Sequence, residues 1–228
     1  LSLDLYRGET LGLVGESGSG KSTLGYSLMN LIEKAKGEIY FENRLISNLN
    51  KKELRELRKD IQIIFQNPFS SLNPRIRIGE ALEEVLKVHK IGNNSKERKE
   101  EVIKMLERVG LEKEHYNRYP HEFSGGQRQR IGIARSLLLR PKIVICDESV
   151  SALDVRVQAQ ILSLLNELKQ EFSLTFIFIT HDLGVVRFMS DRIMVMQRGE
   201  IVEMERTDKL FENPQTQYTQ KLISSIPN

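Results

Sequence analysis

The sequence predicts an α/β protein with a mostly parallel sheet, antiparallel strands near its N-terminus and an inserted all-helical segment. Short apolar runs alternate with amphipathic stretches, and this alternation is typical of strands joined by right-handed helical crossovers. Between about Ile78 and Leu139 the pattern is helical throughout. Because the chain enters and leaves the same core, we expect residues 1–228 to form one domain with residues 78–139 inserted as a helical subdomain.

The N-terminal half of the core is predicted to open with strands. Leu1–Leu5 alternates apolar and polar residues, Arg7-Gly8 favours a turn, and Thr10–Val14 is an apolar run. The further elements predicted here are a helix from Lys21 to about Met29, a hairpin of Gly37–Phe41 and Arg44–Ile46 around Glu42-Asn43, a charged helix Lys51–Lys59 and a buried strand Ile61–Phe65.

The helical segment and the C-terminal half follow from periodicity and from helix-breaking residues. Ile91-Gly-Asn-Asn94 separates two amphipathic helices, and Pro141 stops a third. The predicted helices are Ile78–His89, Ser95–Val109, Gly125–Leu139, Val155–Phe172, Asp182–Met189 and a short tail helix near Thr216. The predicted strands are Ile143–Asp147, Leu174–Thr180, Arg192–Gln197 and Ile201–Met204, the last two forming a hairpin around Arg198-Gly199.

Composition excludes several classes of protein. The 34 basic and 31 acidic residues nearly balance, which gives no electrostatic footprint for nucleic acid. No apolar run approaches the length of a membrane span, and no signal peptide is evident. The one cysteine, Cys146, lies in an apolar run and reads as a core residue, so we expect a cytoplasmic protein. Since the chain opens at Leu1 without methionine, we expect it to be part of something longer.

A glycine-rich stretch between a predicted strand and a predicted helix indicates a phosphate-binding loop. Its sequence fits G-x-x-x-x-G-K-[ST]. The glycines let backbone N–H groups turn inward around an anion, and the helix N-terminus adds its positive dipole end. We expect Lys21 to reach the β- and γ-phosphates and the Ser22 hydroxyl to bind Mg²⁺. The predicted ATP-binding residues are Gly15, Glu16, Ser17, Gly18, Ser19, Gly20, Lys21, Ser22 and Thr23.

This loop indicates that the protein binds a nucleoside triphosphate. It does not indicate the class of protein, since kinases, GTPases, helicases and transport ATPases all use such a loop. A second element follows the apolar run Ile143–Cys146, where Asp147 and Glu148 stand at the end of a buried strand. Asp147 is expected to orient Mg²⁺. Glu148 is expected to polarise the attacking water as a general base.

A third element narrows the class. Phe123-Ser-Gly-Gly-Gln-Arg-Gln-Arg130 resembles the signature motif of ATP-binding cassette (ABC) ATPases. Other family motifs agree in order and spacing: Gln66 resembles the Q-loop glutamine, Ser151–Asp154 resembles the D-loop, and His181 resembles the switch histidine. The resemblance covers essentially the whole chain.

The resemblance implies how these residues act. Ser124, Gly125, Gly126 and Gln127 would close over the γ-phosphate held by a second cassette, so that two ATP molecules are sandwiched between two subunits. Gln66 would sense Mg²⁺ and the γ-phosphate and pass movement to the helical insert. His181 would contact the γ-phosphate, and Asp154 would act in the D-loop.

Further short segments of the sequence resemble the ATP-binding subunits of bacterial oligopeptide, dipeptide and nickel importers. These segments are Asn67–Pro74, Tyr119–Phe123, Val150–Val155, Phe211–Pro214, Tyr218-Thr219 and Ile226-Pro227. The resemblance implies a peripheral protein on the cytoplasmic face of the inner membrane, beneath two permease subunits fed by an extracytoplasmic solute-binding protein. Residues Asn67–Ile78 and Tyr119–Glu122 are the candidate permease surface.

The chain departs from that family at three places. Ser149 stands where proline is common, Arg156 where small residues are common, and Thr216-Gln217 where His-Pro is usual. The aromatic residue that stacks on adenine is expected upstream of Leu1, and Tyr6 is not given that role.

Two other functions stay open from the sequence. One is a soluble ABC ATPase acting on nucleic acid or ribosomes, against which stand the absence of a long coiled-coil pattern and the single phosphate loop. The other is an exporter ATPase, and the sequence of the Asn67–Pro74 segment argues against it.

Overall fold

The computed structural model describes residues 2–32, 36–66 and 72–225. Two sequence predictions fall partly outside the described residues, at Leu1 of the first predicted strand and at positions 67–71 of the candidate permease surface, and a third, Ile226-Pro227, falls wholly outside them. Within the described part of the chain, no helix has both the length and the apolar character needed to cross a membrane.

Eight strands are present in the described residues. They are β1 (Thr10–Val14), β2 (Tyr40–Phe41), β3 (Arg44–Leu45), β4 (Ile61–Ile64), β5 (Ile143–Asp147), β6 (Thr175–Ile179), β7 (Arg192–Gln197) and β8 (Glu200–Arg206). Six of them form one sheet in the order β4-β5-β6-β1-β7-β8. The first five run parallel, and β8 pairs antiparallel with β7. The predicted mostly parallel α/β sheet is therefore confirmed.

Helices cover both the core and the inserted segment. They are α1 (Lys21–Leu28), α2 (Lys51–Asp60), α3 (Ile78–Val88), α4 (Ser95–Arg108), α5 (Gly125–Leu137), α6 (Val155–Phe172), α7 (Leu183–Met189), α8 (Thr207–Glu212) and α9 (Gln217–Ser224). Two 3₁₀ turns, Lys113–Asn117 and Pro120–Glu122, lie between α4 and α5.

Most helix starts are fixed by a side chain that accepts backbone N–H groups, as capping preferences predict. Such caps are provided by Asn50, Asn94, Ser124, Asp154, Asp182 and Thr216. Helices α1, α3 and α8 have no side-chain cap, and α1 is the one of these three that follows a glycine, Gly20.

One predicted strand is absent, and one helix of the structure was not predicted. Residues 2–5 of the predicted strand Leu1–Leu5 are not in a strand. Leu3 and Leu5 do pack against the core, but no neighbouring strand in the described residues forms a ladder with them. Helix α8 was not predicted, since a helix of six residues is too short to produce a periodic pattern.

The helical segment and the sheet are joined by one hydrophobic cluster. It contains Leu82 of α3 and Leu106 of α4 together with Val144 and Phe176 of the sheet, and each of these side chains is fully buried. The cluster fixes α5 against the sheet and so sets where Ser124 lies relative to the strands that carry the other site residues.

Candidate nucleotide-binding and hydrolysis site

Four predicted site segments leave the sheet at one edge. Three of the neighbouring parallel strands, β4, β6 and β1, end just before Gln66, His181 and Gly15 respectively, and the fourth, β5, ends at Asp147. The carboxyl ends of parallel strands meet at one edge of the sheet, where ligands bind in open α/β folds. The topology therefore gathers residues that are far apart in sequence.

The phosphate loop needs glycine at its first position. The Gly15 backbone has φ of 150°, and a Cβ added there would lie 2.1 Å from the Met196 carbonyl oxygen. Gly18 and Gly20 have φ of 80° and 101°, in the region that favours glycine. Any side chain at position 15 would push the loop away from β7.

The start of α1 fits a phosphate group. Because Gly20 offers no side-chain cap and the first turn carries no acidic residue, the first N–H groups of α1 are left for a ligand. The Ser19 hydroxyl is buried without a hydrogen-bond partner within the loop. These donors, at the positive end of the helix dipole, suit an anion such as the phosphates of ATP.

Lys21 lies inside the loop. Its side chain is buried, and Nζ donates to the carbonyl oxygens of Gly15 at 2.8 Å and Glu16 at 2.9 Å. Burial lowers the pKa of Lys21, although the nearby carboxylates of Glu148 and Asp147 act in the opposite direction. The ammonium group therefore lies within the loop, where a bound phosphate would compete with the carbonyl oxygens of Gly15 and Glu16 for its hydrogen bonds.

Asp147 is held at both carboxylate oxygens. The Ser22 hydroxyl donates to Oδ1 at 2.8 Å, and the Tyr26 hydroxyl donates to Oδ2 at 2.7 Å. Partial burial and the hydrogen bond to Asp147 raise the pKa of Tyr26 to about 12. The adjacent hydroxyl and carboxylate oxygens of Ser22 and Asp147 are ligands of the type that Mg²⁺ prefers.

Glu148 and His181 also come together. Glu148 Oε1 lies 3.3 Å from His181 Nδ1, and the Glu148 N–H donates to the Ile179 carbonyl oxygen at 2.9 Å. Glu148 has φ of 47°, an uncommon conformation for a residue with a side chain. The β6 contact and the turn that follows Glu148 thus place its carboxylate beside the histidine.

Gln66 is bound to the turn that follows Glu148. Its Nε2 donates to Ser151 Oγ at 3.2 Å, and Ser151 Oγ donates to the Glu148 carbonyl oxygen at 2.9 Å. No hydrogen bond among the described residues joins Gln66 to Ser22 or Asp147. Gln66 is therefore connected to the Glu148 segment and not to the Ser22–Asp147 pair.

The signature segment forms a separate helix start. Ser124 Oγ accepts the Gln127 N–H at 3.3 Å, and Gln127 Oε1 accepts the Ser124 N–H at 3.0 Å, which is a capping box. Gly126 allows close packing against α6, since a Cβ there would lie 2.5 Å from Val157 Cγ1. Asp154 caps α6, accepting the Val157 N–H at 3.0 Å.

The two segments that are predicted to bind phosphate, Ser124–Gln127 and residues 15–23, are not directly bonded to each other in the described part of the chain. No hydrogen bond among the described residues joins one segment to the other. The signature segment and the phosphate loop are two distinct helix starts on one molecule.

Two tyrosines at the site were missed by sequence reasoning. Tyr26 contacts Asp147, as described above, and the Tyr218 hydroxyl accepts the Glu16 N–H at 3.0 Å. Tyr218 stood out only as part of a Tyr-Thr pair in the tail. Nothing in its spacing indicates contact with a loop 202 residues away along the chain.

Comparison with known proteins agrees with these features. The ABC transporter family model matches residues 1–151. The chain is 52% identical over 228 residues to the oligopeptide transport ATP-binding protein OppF of Bacillus subtilis, with 100% of the chain and 75% of that protein covered. It is 53% identical over 227 residues to the glutathione import ATP-binding protein GsiA of Pectobacterium atrosepticum. That match covers 100% of the chain but 36% of GsiA.

Solved structures share the fold. A dimeric post-hydrolysis state of the ATP-binding cassette MJ0796, bound to ADP and Pi, superposes with a TM-score of 0.80 at 33% identity, covering 90% of this chain and 88% of that one. CbiO1 of Clostridium perfringens, part of the ABC transporter complex cbiONQ, gives a TM-score of 0.83 at 29% identity, covering 93% and 83%. Together with the loop and strand-end carboxylates, these matches show that the chain belongs to the ABC transporter family and is one of its ATP-binding ATPases.

Proposed function

We propose that this ATPase powers the import of oligopeptides, dipeptides or a related small solute such as a nickel complex. The observation that carries the proposal is the 52% identity to OppF over the whole chain. The segments Tyr119–Phe123 and Phe211–Pro214, which resemble those of importer ATPases, support it. Neither alternative, a soluble ABC ATPase or an exporter ATPase, is supported by a relative among the matches described above that is as similar as OppF over the whole chain.

The partners we propose are a second cassette and two membrane permease subunits, with an extracytoplasmic solute-binding protein acting indirectly. The signature segment Ser124–Gln127 and the phosphate loop 15–23 begin different helices and share no hydrogen bond in the described residues. This arrangement supports a partner cassette that would complete the site at each segment. The dimeric state of MJ0796 is a parallel case. On this proposal the protein is peripheral to the cytoplasmic face of the membrane.

In the proposed mechanism, Gly15–Thr23 binds the phosphates of ATP through backbone N–H groups and the Lys21 ammonium. Ser22, Asp147 and Gln66 would hold Mg²⁺, which neutralises phosphate charge when it is bound. Glu148 takes a proton from the attacking water, and His181, 3.3 Å away, orders the Glu148 carboxylate and the γ-phosphate.

Ser124–Gln127 and Asp154 would act on the ATP bound to the partner cassette. We also propose that residues 1–228 work as one domain whose helical insert, about 78–139, moves with the nucleotide state. Gln66 stands at the junction and is bonded to Ser151. It would couple the insert to the Glu148 segment.

The residue roles are tested by contrasting two variants of the full-length native protein. Glu148→Gln is expected to keep ATP affinity but to reduce hydrolysis by about 10²- to 10⁴-fold, since it removes the general base. Lys21→Ala is expected to weaken nucleotide binding itself. Exposed Glu107→Gln on α4 is the control and should change neither. Near wild-type phosphate release from Glu148→Gln, or unchanged affinity in Lys21→Ala, would refute the role concerned.

The transport proposal is tested by purifying the native protein in a gentle detergent and identifying what accompanies it by mass spectrometry. Two multi-span permeases, with or without a second cassette, are the expected result. Ribosomal proteins or DNA-processing factors without a membrane partner would overturn the importer function and leave the ATP site intact.

A further inference from the structure

Tyr26 has a hydroxyl that none of the motifs explains. It lies on α1, and its Oη is 2.7 Å from Asp147 Oδ2, while Ser22 Oγ is 2.8 Å from Oδ1. We propose that Tyr26 is a positioning residue that fixes the rotation of the Asp147 carboxylate, so that Oδ1 stays directed towards Ser22 and towards a Mg²⁺ ion bound there. The inference rests on the proposed Mg²⁺ site of Ser22 and Asp147.

Helix geometry explains why both hydroxyls reach one carboxylate. Ser22 and Tyr26 are four residues apart, so they lie on the same face of α1. Gly25 lets this helix approach the sheet closely, because a Cβ there would lie 3.0 Å from Ile179 Cδ1 and 3.4 Å from Ile145 Cγ2. The close approach brings the helix face to the end of β5, where Asp147 stands.

The carboxylate needs such a restraint. Asp147 is 6% exposed, and the terminal torsion of an aspartate is broad and two-fold, so packing alone does not choose which oxygen faces Ser22. A carboxylate can only accept hydrogen bonds, and Tyr26 is therefore the donor. Groups that orient a metal ligand from behind typically affect metal affinity by about 10- to 100-fold when removed.

The alternative is that the bond to Asp147 only satisfies the partly buried hydroxyl of Tyr26 and contributes only to stability. The two roles differ in how nucleotide binding responds to Mg²⁺. A positioning role predicts that Tyr26→Phe changes binding with Mg²⁺ present and leaves binding in EDTA unchanged. A merely structural role predicts the same change in both conditions.

The experiment titrates the full-length protein with fluorescent mant-ADP in EDTA and at a series of MgCl₂ concentrations. For Tyr26→Phe, the Mg²⁺ concentration that gives half of the affinity gain is expected to rise about tenfold. The dissociation constant in EDTA should stay within about twofold of wild type. Tyr40→Phe is a matched control, since its exposed hydroxyl also donates to a carboxylate, that of Glu38, at 2.9 Å.

Equal loss of affinity with and without Mg²⁺, or no change in either, would overturn the positioning role. Should Tyr26→Phe not fold, Tyr26→Gln, which keeps an N–H donor, is compared with Tyr26→Met, which has none; the same Mg²⁺ response in both would overturn it. Ser22→Ala separates this failure from failure of the Mg²⁺ site. If Ser22→Ala keeps the full Mg²⁺ response, the site itself is wrong.

Discussion

Glu148, the proposed general base, has an unusual backbone conformation. Its φ of 47° places it in the left-handed region, which costs a residue with a Cβ about 1–2 kcal/mol. The surroundings enforce this conformation, because the Glu148 N–H binds Ile179 and its carbonyl oxygen accepts both the N–H and the hydroxyl of Ser151. Strain of this kind concentrates at functional positions.

This strain predicts a difference between two inactive variants. Glu148→Gly and Glu148→Ala both lack the carboxylate, so neither should hydrolyse ATP. The glycine variant is expected to be more stable by about 0.5–1 kcal/mol, since glycine adopts positive φ without a steric penalty. Urea unfolding at pH 7 measures the difference. An alanine variant as stable as the glycine variant would mean that the conformation stores no strain.

At the element scale, α9 is attached to the sheet through Glu203 of β8. The Glu203 carboxylate accepts the N–H groups of Gln215 at 2.8 Å and Thr216 at 3.1 Å, and the Thr216 hydroxyl at 3.1 Å. Partial burial raises the pKa of Glu203, but the hydrogen bonds from Gln215, Thr219 and Thr216 outweigh it and lower the pKa overall. The ionised carboxylate therefore stabilises the start of α9.

A lowered pKa in the folded state gives a definite pH dependence. The stabilisation from Glu203 should be complete above the ordinary pKa of a glutamate and should be lost as the pH falls through the lower, folded value. The free energy of unfolding of Glu203→Gln at pH 7 is expected to be about 1 kcal/mol lower than that of the wild type. The gap to wild type should close in acid. A gap that is the same at pH 7 and at pH 3.5 would contradict this attachment.

Helix α9 also contacts the phosphate loop through Tyr218. Removing its hydroxyl by Tyr218→Phe leaves the Glu16 N–H without its acceptor, which should loosen the loop. We expect nucleotide affinity to fall about 2- to 10-fold, the equivalent of one ordinary hydrogen bond. Amide exchange at Glu16 should accelerate. Tyr40→Phe is again the control, and unchanged exchange at Glu16 would show that the contact does not restrain the loop.

Which elements were predictable follows from where their signals lie. The strand β5 and the helix α6 match their predicted bounds, because Pro141, an unbroken apolar run and the cap at Asp154 all lie in the local sequence. The strand predicted for Leu1–Leu5 depends on a pairing partner, which local alternation cannot supply. Short α8 leaves too few residues for a period to be read.

The site divides in the same way. The phosphate loop, the strand-end carboxylates and Ser124 are each marked by neighbours in sequence. Tyr26 meets Asp147 across 121 residues, and Tyr218 meets Glu16 across 202. Contacts of this kind depend on sheet order and helix docking, so no spacing rule could predict them.

At the scale of the whole molecule, the two helix starts predict a nucleotide-driven dimer. Full-length Glu148→Gln with ATP is expected to elute from a sizing column as a dimer, because bound ATP would join the loop of one cassette to the Ser124 segment of the other. Adding Ser124→Arg should return it to a monomer by filling that segment, while mant-ATP binding remains. A dimer that forms equally without ATP, or that persists in Ser124→Arg, would contradict this arrangement.

The burial of Cys146 makes the protein convenient for spectroscopy. Its side chain is fully buried, and burial raises the pKa of the thiol to about 12. We therefore expect the one cysteine of the 228-residue sequence to react very slowly with thiol reagents at neutral pH. A cysteine introduced at Val155, which is 84% exposed beside Asp154, could therefore be labelled selectively without first deleting the native thiol. Dye or spin-label pairs at that position would report the separation of two cassettes throughout the ATP cycle.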